Sequence, residues 1–337
     1  MNLYGLIRTF LSHEAKGRLT RFLYLTGLKP RINRKAASPF RKGIVVLSAD
    51  FEMAWAFRYS KSRNTEAVTA GLQERNNIPV LLDLFEVHNI PVTWATVGHL
   101  FLRECGCDPG RPAHREMPRP PYFTNKNWAF SSGDWYDHDP CTDVNSDPAW
   151  YASDLVDKIM RSPVRHEFGC HTFSHCDFTY ANCSRELADA ELDASVKAAS
   201  ARNISLRSMV LPGGTFGNFE SLAEKGFICY RKPMECHIDT CHTDQFGLTV
   251  IPSSLGLGRD PYGWSAQFHL RIFDRFLKAA ARHKLVCHFW FHPSVDKWYL
   301  DNVMPGLLSM IASYRDRGLI DSMTMEELAV EYRRSQG

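Results

Sequence analysis

The chain has no apolar run long enough to cross a bilayer: about 18 uninterrupted apolar residues would be needed, and none occurs among its 337 residues. It also has almost no charge excess. Lys and Arg number 40 against 37 acidic residues, a net charge of +3, which is too small to argue for a nucleic-acid partner. Internal repeats and low-complexity tracts are missing. A secretory signal is not read either, because charges break the first apolar run and no small-residue cleavage site follows. The ten cysteines show no regular spacing, so the expectation is reduced thiols in a cytoplasmic protein. What is left is 44% hydrophobic and 23% charged, the composition of one large α/β domain able to bury a substantial core.

Two short stretches carry most of the chemistry. The first is Ser48-Ala49-Asp50-Phe51-Glu52, and far downstream comes His171-Thr172-Phe173-Ser174-His175. Together they offer two carboxylates and two imidazoles. A catalytic zinc site commonly keeps three protein ligands and an open position, so one carboxylate with two histidines is the right number, and the second carboxylate is free to act as a base. Gly43 to Ala49 is a short apolar run rich in β-branched residues, expected to be a buried strand delivering Asp50 and Glu52 to one face. His171 and His175 can share an ion only if the backbone between them is helical or tightly turned. Val164 to Cys170 reads as another strand, with Gly169 permitting a sharp turn.

Four segments in order, Asp50-Phe51-Glu52 after a strand, Asn89 to Gly98, His166 to His175, and Cys287-His288-Phe289-Trp290-Phe291-His292-Pro293, resemble the polysaccharide deacetylases of carbohydrate esterase family 4, the group with chitooligosaccharide deacetylase-like domains. The resemblance spans residues 43 to about 330. It implies a distorted, incomplete (β/α) barrel of about seven strands and a metal-dependent enzyme, with Zn2+ the expected ion, that removes N-acetyl groups from a sugar or polysaccharide precursor. It further implies Asp50 as general base, Glu52, His171 and His175 as metal ligands, and His292 as general acid; the roles of Asp50 and Glu52 could be exchanged. His288 shares a strand face with His292 and competes with it, the alternative for His288 being a buried, hydrogen-bonded histidine. The arginine that the family carries after the next strand is missing at Met209 to Thr215. Arg231 is a candidate replacement from a neighbouring strand, and Asp260 a candidate acidic partner for the catalytic histidine.

Alternating strands and helices support the barrel. Helices are expected at 78–87, 150–160, 184–201, 266–283 and 303–317, and strands at 90–97, 206–211, 227–231, 248–252 and 285–291. Glu104 to Asp147 is a long irregular insertion containing Trp128, Trp135 and Tyr136, expected either to wall the substrate cleft or simply to pack against the barrel. Trp135, Trp290 and Arg231 are the candidates for substrate contact. Residues 1–42 form a basic extension before a barrel domain at 43–337. Leu3, Leu6, Ile7, Phe10, Leu11, Phe22 and Leu25 recur near helical spacing among many Lys and Arg, which suits either peripheral contact with the inner face of a membrane or packing against the barrel. Cys236 to His242 invites a second metal reading but lacks a matching ligand pair elsewhere. Three functional classes follow: a cytoplasmic N-deacetylase in exopolysaccharide or lipopolysaccharide biosynthesis, a hydrolase of another non-peptide C–N bond such as a formamide or cyclic amide, or a degenerate carbohydrate-binding protein.

Overall fold

The computed structural model describes residues 12–108 and 112–336. Seven parallel strands follow one another around the core in chain order: β1 Gly43–Phe51, β2 Thr93–Thr96, β3 Glu167–Cys170, β4 Ser208–Met209, β5 Cys229–Lys232, β6 Thr249–Pro252 and β7 Val286–Phe291. Each pairs with the next as far as β6; β1 has β7 on one edge, and on the other Ile320–Met323 along its first half and β2 along its second, all parallel. After Pro252 the chain changes partner: Leu255–Gly256 runs parallel to β7 instead of β5. That exchange, rather than one continuous strand, spans the last gap. The result is a distorted, incomplete (β/α) barrel.

Strand alternation sorts the side chains. Val45, Leu47, Ala49 and Phe51 join the layer between sheet and helices, while Ile44, Val46, Ala95, Val210, Ile251 and Val286 fill the interior, as a period of two requires. On β1 the same inward phase continues to Ser48 and Asp50, so the strand's apolar start becomes polar at its carboxyl end. The opposite end is plugged by the last helix, Met325–Ser335, which puts Met325, Leu328, Ala329 and Tyr332 into the interior cluster. A capping box of Thr324 and Glu327 starts that helix, satisfying two of its otherwise orphaned backbone donors.

Most expected elements form, with shorter strands. The expected helix 78–87 is longer, Ala67–His88; ahead of Ile78 it buries small residues and two polar ones in place of large apolar groups: Asn77 Nδ2 donates to Pro293 O at 2.8 Å and Glu74 accepts the Glu52 N–H at 2.9 Å. Gly169 lies within a strand and not at a turn. A Cβ there would stand 2.7 Å from Ser208 Oγ and 3.2 Å from Thr93 Cγ2, so its role is close strand approach.

The described part of the N-terminal extension packs on the barrel. Its helix, His13–Leu25, buries Tyr24, whose ring meets Trp264 edge-on at 6.2 Å, and Arg31–Ile32 pairs parallel with His237–Ile238. Leu3, Leu6, Ile7, Phe10 and Leu11 lie outside the described residues. Among the described residues no helix is long and apolar enough to cross a membrane. Cys107 and Cys141 form a disulfide, which corrects the expectation of reduced thiols for this pair.

Candidate metal centre and catalytic site

The carboxyl ends of β1, β3, β5 and β7 bring the expected residues together. Glu52 Oε1 lies 2.8 Å from His171 Nε2 and 3.2 Å from His175 Nε2, and Glu52 Oε2 lies 3.6 Å from His292 Nε2. Asp50 stands beside this cluster and is gripped by Arg231, whose Nη1 and Nη2 donate to Oδ1 and Oδ2 at 2.6 Å each. The missing arginine is thus replaced in space by one on β5. Arg231 points at Asp50 rather than outward, and its guanidinium lies 4.8 Å from the centre of the Trp290 ring.

The histidine pair sits on a tight turn, not a helix. Thr172 and His175 adopt left-handed φ values of 58° and 56°, a costly conformation, above all for a β-branched residue, that persists only where the surroundings enforce it. They do so here. Gly98 N and His99 N donate to Thr172 O and Phe173 O, Arg58 Nη2 donates to Ser174 O at 2.6 Å, and buried Glu191 accepts from both the Ser174 N–H and its hydroxyl. Trp135 belongs to this support. It is 1% exposed and its indole N–H donates to Ser174 Oγ at 2.8 Å. This corrects the expectation that it forms an exposed sugar platform; Trp128 and Tyr136 are buried as well. Trp290 is half-buried and lines a cavity of about 300 Å³ with His292, Leu257, Trp264 and His269.

The donor set suits a divalent cation. His171 Nδ1 lies 2.7 Å from Val210 O, and a carbonyl only accepts, so Nδ1 carries the proton and a neutral ring turns the Nε2 lone pair toward Glu52. Two lone pairs 2.8 Å apart need a positive charge between them or a proton on the ring. Burial on its own would push the Glu52 carboxyl up, but His292, His175 and the hydrogen bonds from His171 and His175 outweigh it and hold Glu52 well below the carboxylate range. Behind it, burial and then the Glu52 charge push Glu74 well above that range.

His288 is fully buried and shares a 2.8 Å hydrogen bond with Ser48 Oγ. Burial and then Arg231 lower its pKa well below the usual value. His288 is thus a buried, hydrogen-bonded histidine and not a rival to His292. Asp260 does not partner His292; it bonds His269 Nε2 at 3.0 Å and caps its own turn through the Tyr262 and Trp264 N–H groups. Cys236 bonds the Tyr24 hydroxyl, and the 236–242 segment forms no ligand cluster among the described residues. A separate cluster, His99, Cys105, His114 and Asp139, is announced by no sequence motif because its members share no spacing rule.

No family model matches the chain, and no curated protein matches it either. Solved structures do. A Mycobacterium smegmatis protein assigned as a polysaccharide deacetylase superposes with a TM-score of 0.61 at 14% identity, over 89% of this chain and 95% of that one. The allantoinase PuuE gives 0.55 at 12% identity, over 89% and 93%. A Pseudomonas aeruginosa PAO1 protein, also assigned as a polysaccharide deacetylase, gives 0.52 at 14% identity, over 87% and 90%.

Proposed function

We propose that this chain, which has the polysaccharide deacetylase fold, is a metal-dependent hydrolase that removes N-acetyl groups from a sugar or glycan. One observation carries the reading: Glu52, His171 and His175 converge beside an arginine-held Asp50, with His292 across the same opening. A divalent cation, Zn2+ the expected one, would be held by Glu52 Oε1 and the Nε2 atoms of both histidines, and when bound would polarise the acetyl carbonyl and acidify water.

The remaining work falls to the chain's own residues. Asp50, its two oxygens fixed by Arg231, takes a proton from the attacking water. His292, whose side chain is 42% exposed, faces the opening and gives a proton to the departing amine, a task suited to an imidazole. Trp290 offers an apolar face beside His292 for the sugar. Arg231 acts through Asp50; its Nη1 also donates to Ser48 Oγ, which in turn shares a hydrogen bond with His288.

The finer reading is a nucleotide- or lipid-linked precursor of surface polysaccharide, handled at a membrane face. It rests on the basic N-terminal segment, where Phe22, Leu25 and Leu28 are exposed near Arg18, Arg21 and Lys29. Likeness to a protein named allantoinase supports a second reading, hydrolysis of another non-peptide C–N bond such as a formamide or cyclic amide. The test is acetate release from a broad panel of N-acetylated sugars by metal-restored protein, abolished in Asp50→Asn. Hydrolysis of cyclic amides alone would favour the second reading, and no acetate from any acetamide would end the first.

A further inference from the structure

Behind the histidine turn, His99, Cys105, His114 and Asp139 converge on a point of their own. We propose that they form a second, structural metal site of zinc type, with His99 Nε2, His114 Nε2, Cys105 Sγ and Asp139 Oδ2 as ligands. Asp139 Oδ2 lies 3.0 Å from His99 Nε2 and 2.9 Å from His114 Nε2, Cys105 Sγ lies 3.4 Å from the same His114 nitrogen, and all four atoms fall within 4.8 Å of one another. Metal–ligand bonds of about 2.0–2.3 Å make the edges of a tetrahedron roughly 3.3–3.8 Å, close to these separations. A hydrogen-bonding account is poorer. One imidazole nitrogen carries at most one proton, so His114 Nε2 cannot donate to both the carboxylate and the sulfur.

The surroundings fit a ligand shell. The other Asp139 oxygen accepts from the Tyr151 hydroxyl at 2.8 Å and the Cys141 N–H at 3.0 Å, the outer partners that orient a ligating carboxylate. His99 and Asp139 side chains are 0% exposed and His114 is 9% exposed. A thiolate and a carboxylate together balance a doubly charged cation. With four protein ligands the shell is complete and leaves no position for substrate, unlike the three-ligand cluster of Glu52.

Its location gives it a task. His99 follows β2, whereas Cys105, His114 and Asp139 belong to the irregular insertion, so an ion there would tie that loop to the barrel beside the Cys107–Cys141 disulfide. His99 N donates to Phe173 O at 3.0 Å, and the His99 and His114 rings lie 5.6 and 5.2 Å from the Phe173 ring. The ion would thereby brace the turn that carries His171 and His175.

Cobalt tests this independently of the proposed activity, because the Glu52 cluster contains no sulfur. Full-length protein produced with Co2+ in place of Zn2+ should show a thiolate-to-cobalt charge-transfer band in the near ultraviolet. The band should persist in His171→Ala and vanish in Cys105→Ser together with one equivalent of metal. If Cys105→Ser fails to fold, His171→Ala decides alone: a thiolate band with a retained equivalent of cobalt supports the site. Absence of the band at saturating cobalt, or its survival in a folded Cys105→Ser protein, would overturn the proposal whether or not acetate is released.

Discussion

Replacing Arg231 by methionine removes both donors from a carboxylate whose side chain is 5% exposed, the arginine side chain itself being 8% exposed. Two opposite charges about 4 Å apart at an effective dielectric of ~20 attract by about 4 kcal/mol, and removing one partner of a buried pair costs about 3–5 kcal/mol because the other charge stays behind unpaired. Arg231→Met should therefore lower unfolding free energy by about 3–5 kcal/mol at pH 7. Asp50→Asn should cost a comparable amount, since it strands the guanidinium. The double variant should cost little more than either single one, a coupling of roughly 3 kcal/mol in a double-mutant cycle read by urea denaturation. Because the fork also aims Asp50, Arg231→Met should cut acetate release about 100-fold, the scale of a 1 Å misplacement of a reacting group. Arg231→Lys, which keeps the charge and loses the fork, should recover more stability than turnover. Additivity of the two substitutions to within about 0.5 kcal/mol would refute the claim that this pair holds the site.

Trp135→Ala should destabilise the fold by about 3–5 kcal/mol, as expected for a buried aromatic; a variant that unfolds normally and only raises KM would restore the sugar-platform reading. Glu52→Ala and His171→Ala should each lose the divalent ion of the open site on metal analysis, with turnover falling ~10³-fold or more, equivalent to about 4 kcal/mol of barrier. Burial lowers His166 to about 4 from a reference near 6.5. The unfolded chain then binds the proton more readily, so the contribution of this group to stability is present above pH ~6.5 and lost as the pH falls toward ~4. The loss should amount to about 3 kcal/mol, and a His166→Gln protein that keeps the wild-type pH slope in denaturant titrations would contradict it.

Much of the site is written locally. A β-branched run ending in polar residues specifies a strand that emerges into a cleft, and the i, i+2 rule places Ser48 and Asp50 inward without reference to the rest of the chain. The helix Ala266–His283 could be read to its ends because its apolar face repeats and Ser265 caps it. The helix from Ala67 could not be read to its start, since Glu74 and Asn77 are turned inward toward the site and erase the apolar period. What tertiary structure alone decided is pairing across the barrel. Arg231 reaches Asp50 from a strand on the opposite side of the sheet, Trp135 is buried because the Ser174 turn needs a donor, and His99, Cys105, His114 and Asp139 meet through a loop with no periodicity. Short-range order follows from residue spacing, whereas contacts between distant irregular segments depend on where the folded backbone lays them, and no spacing rule encodes that.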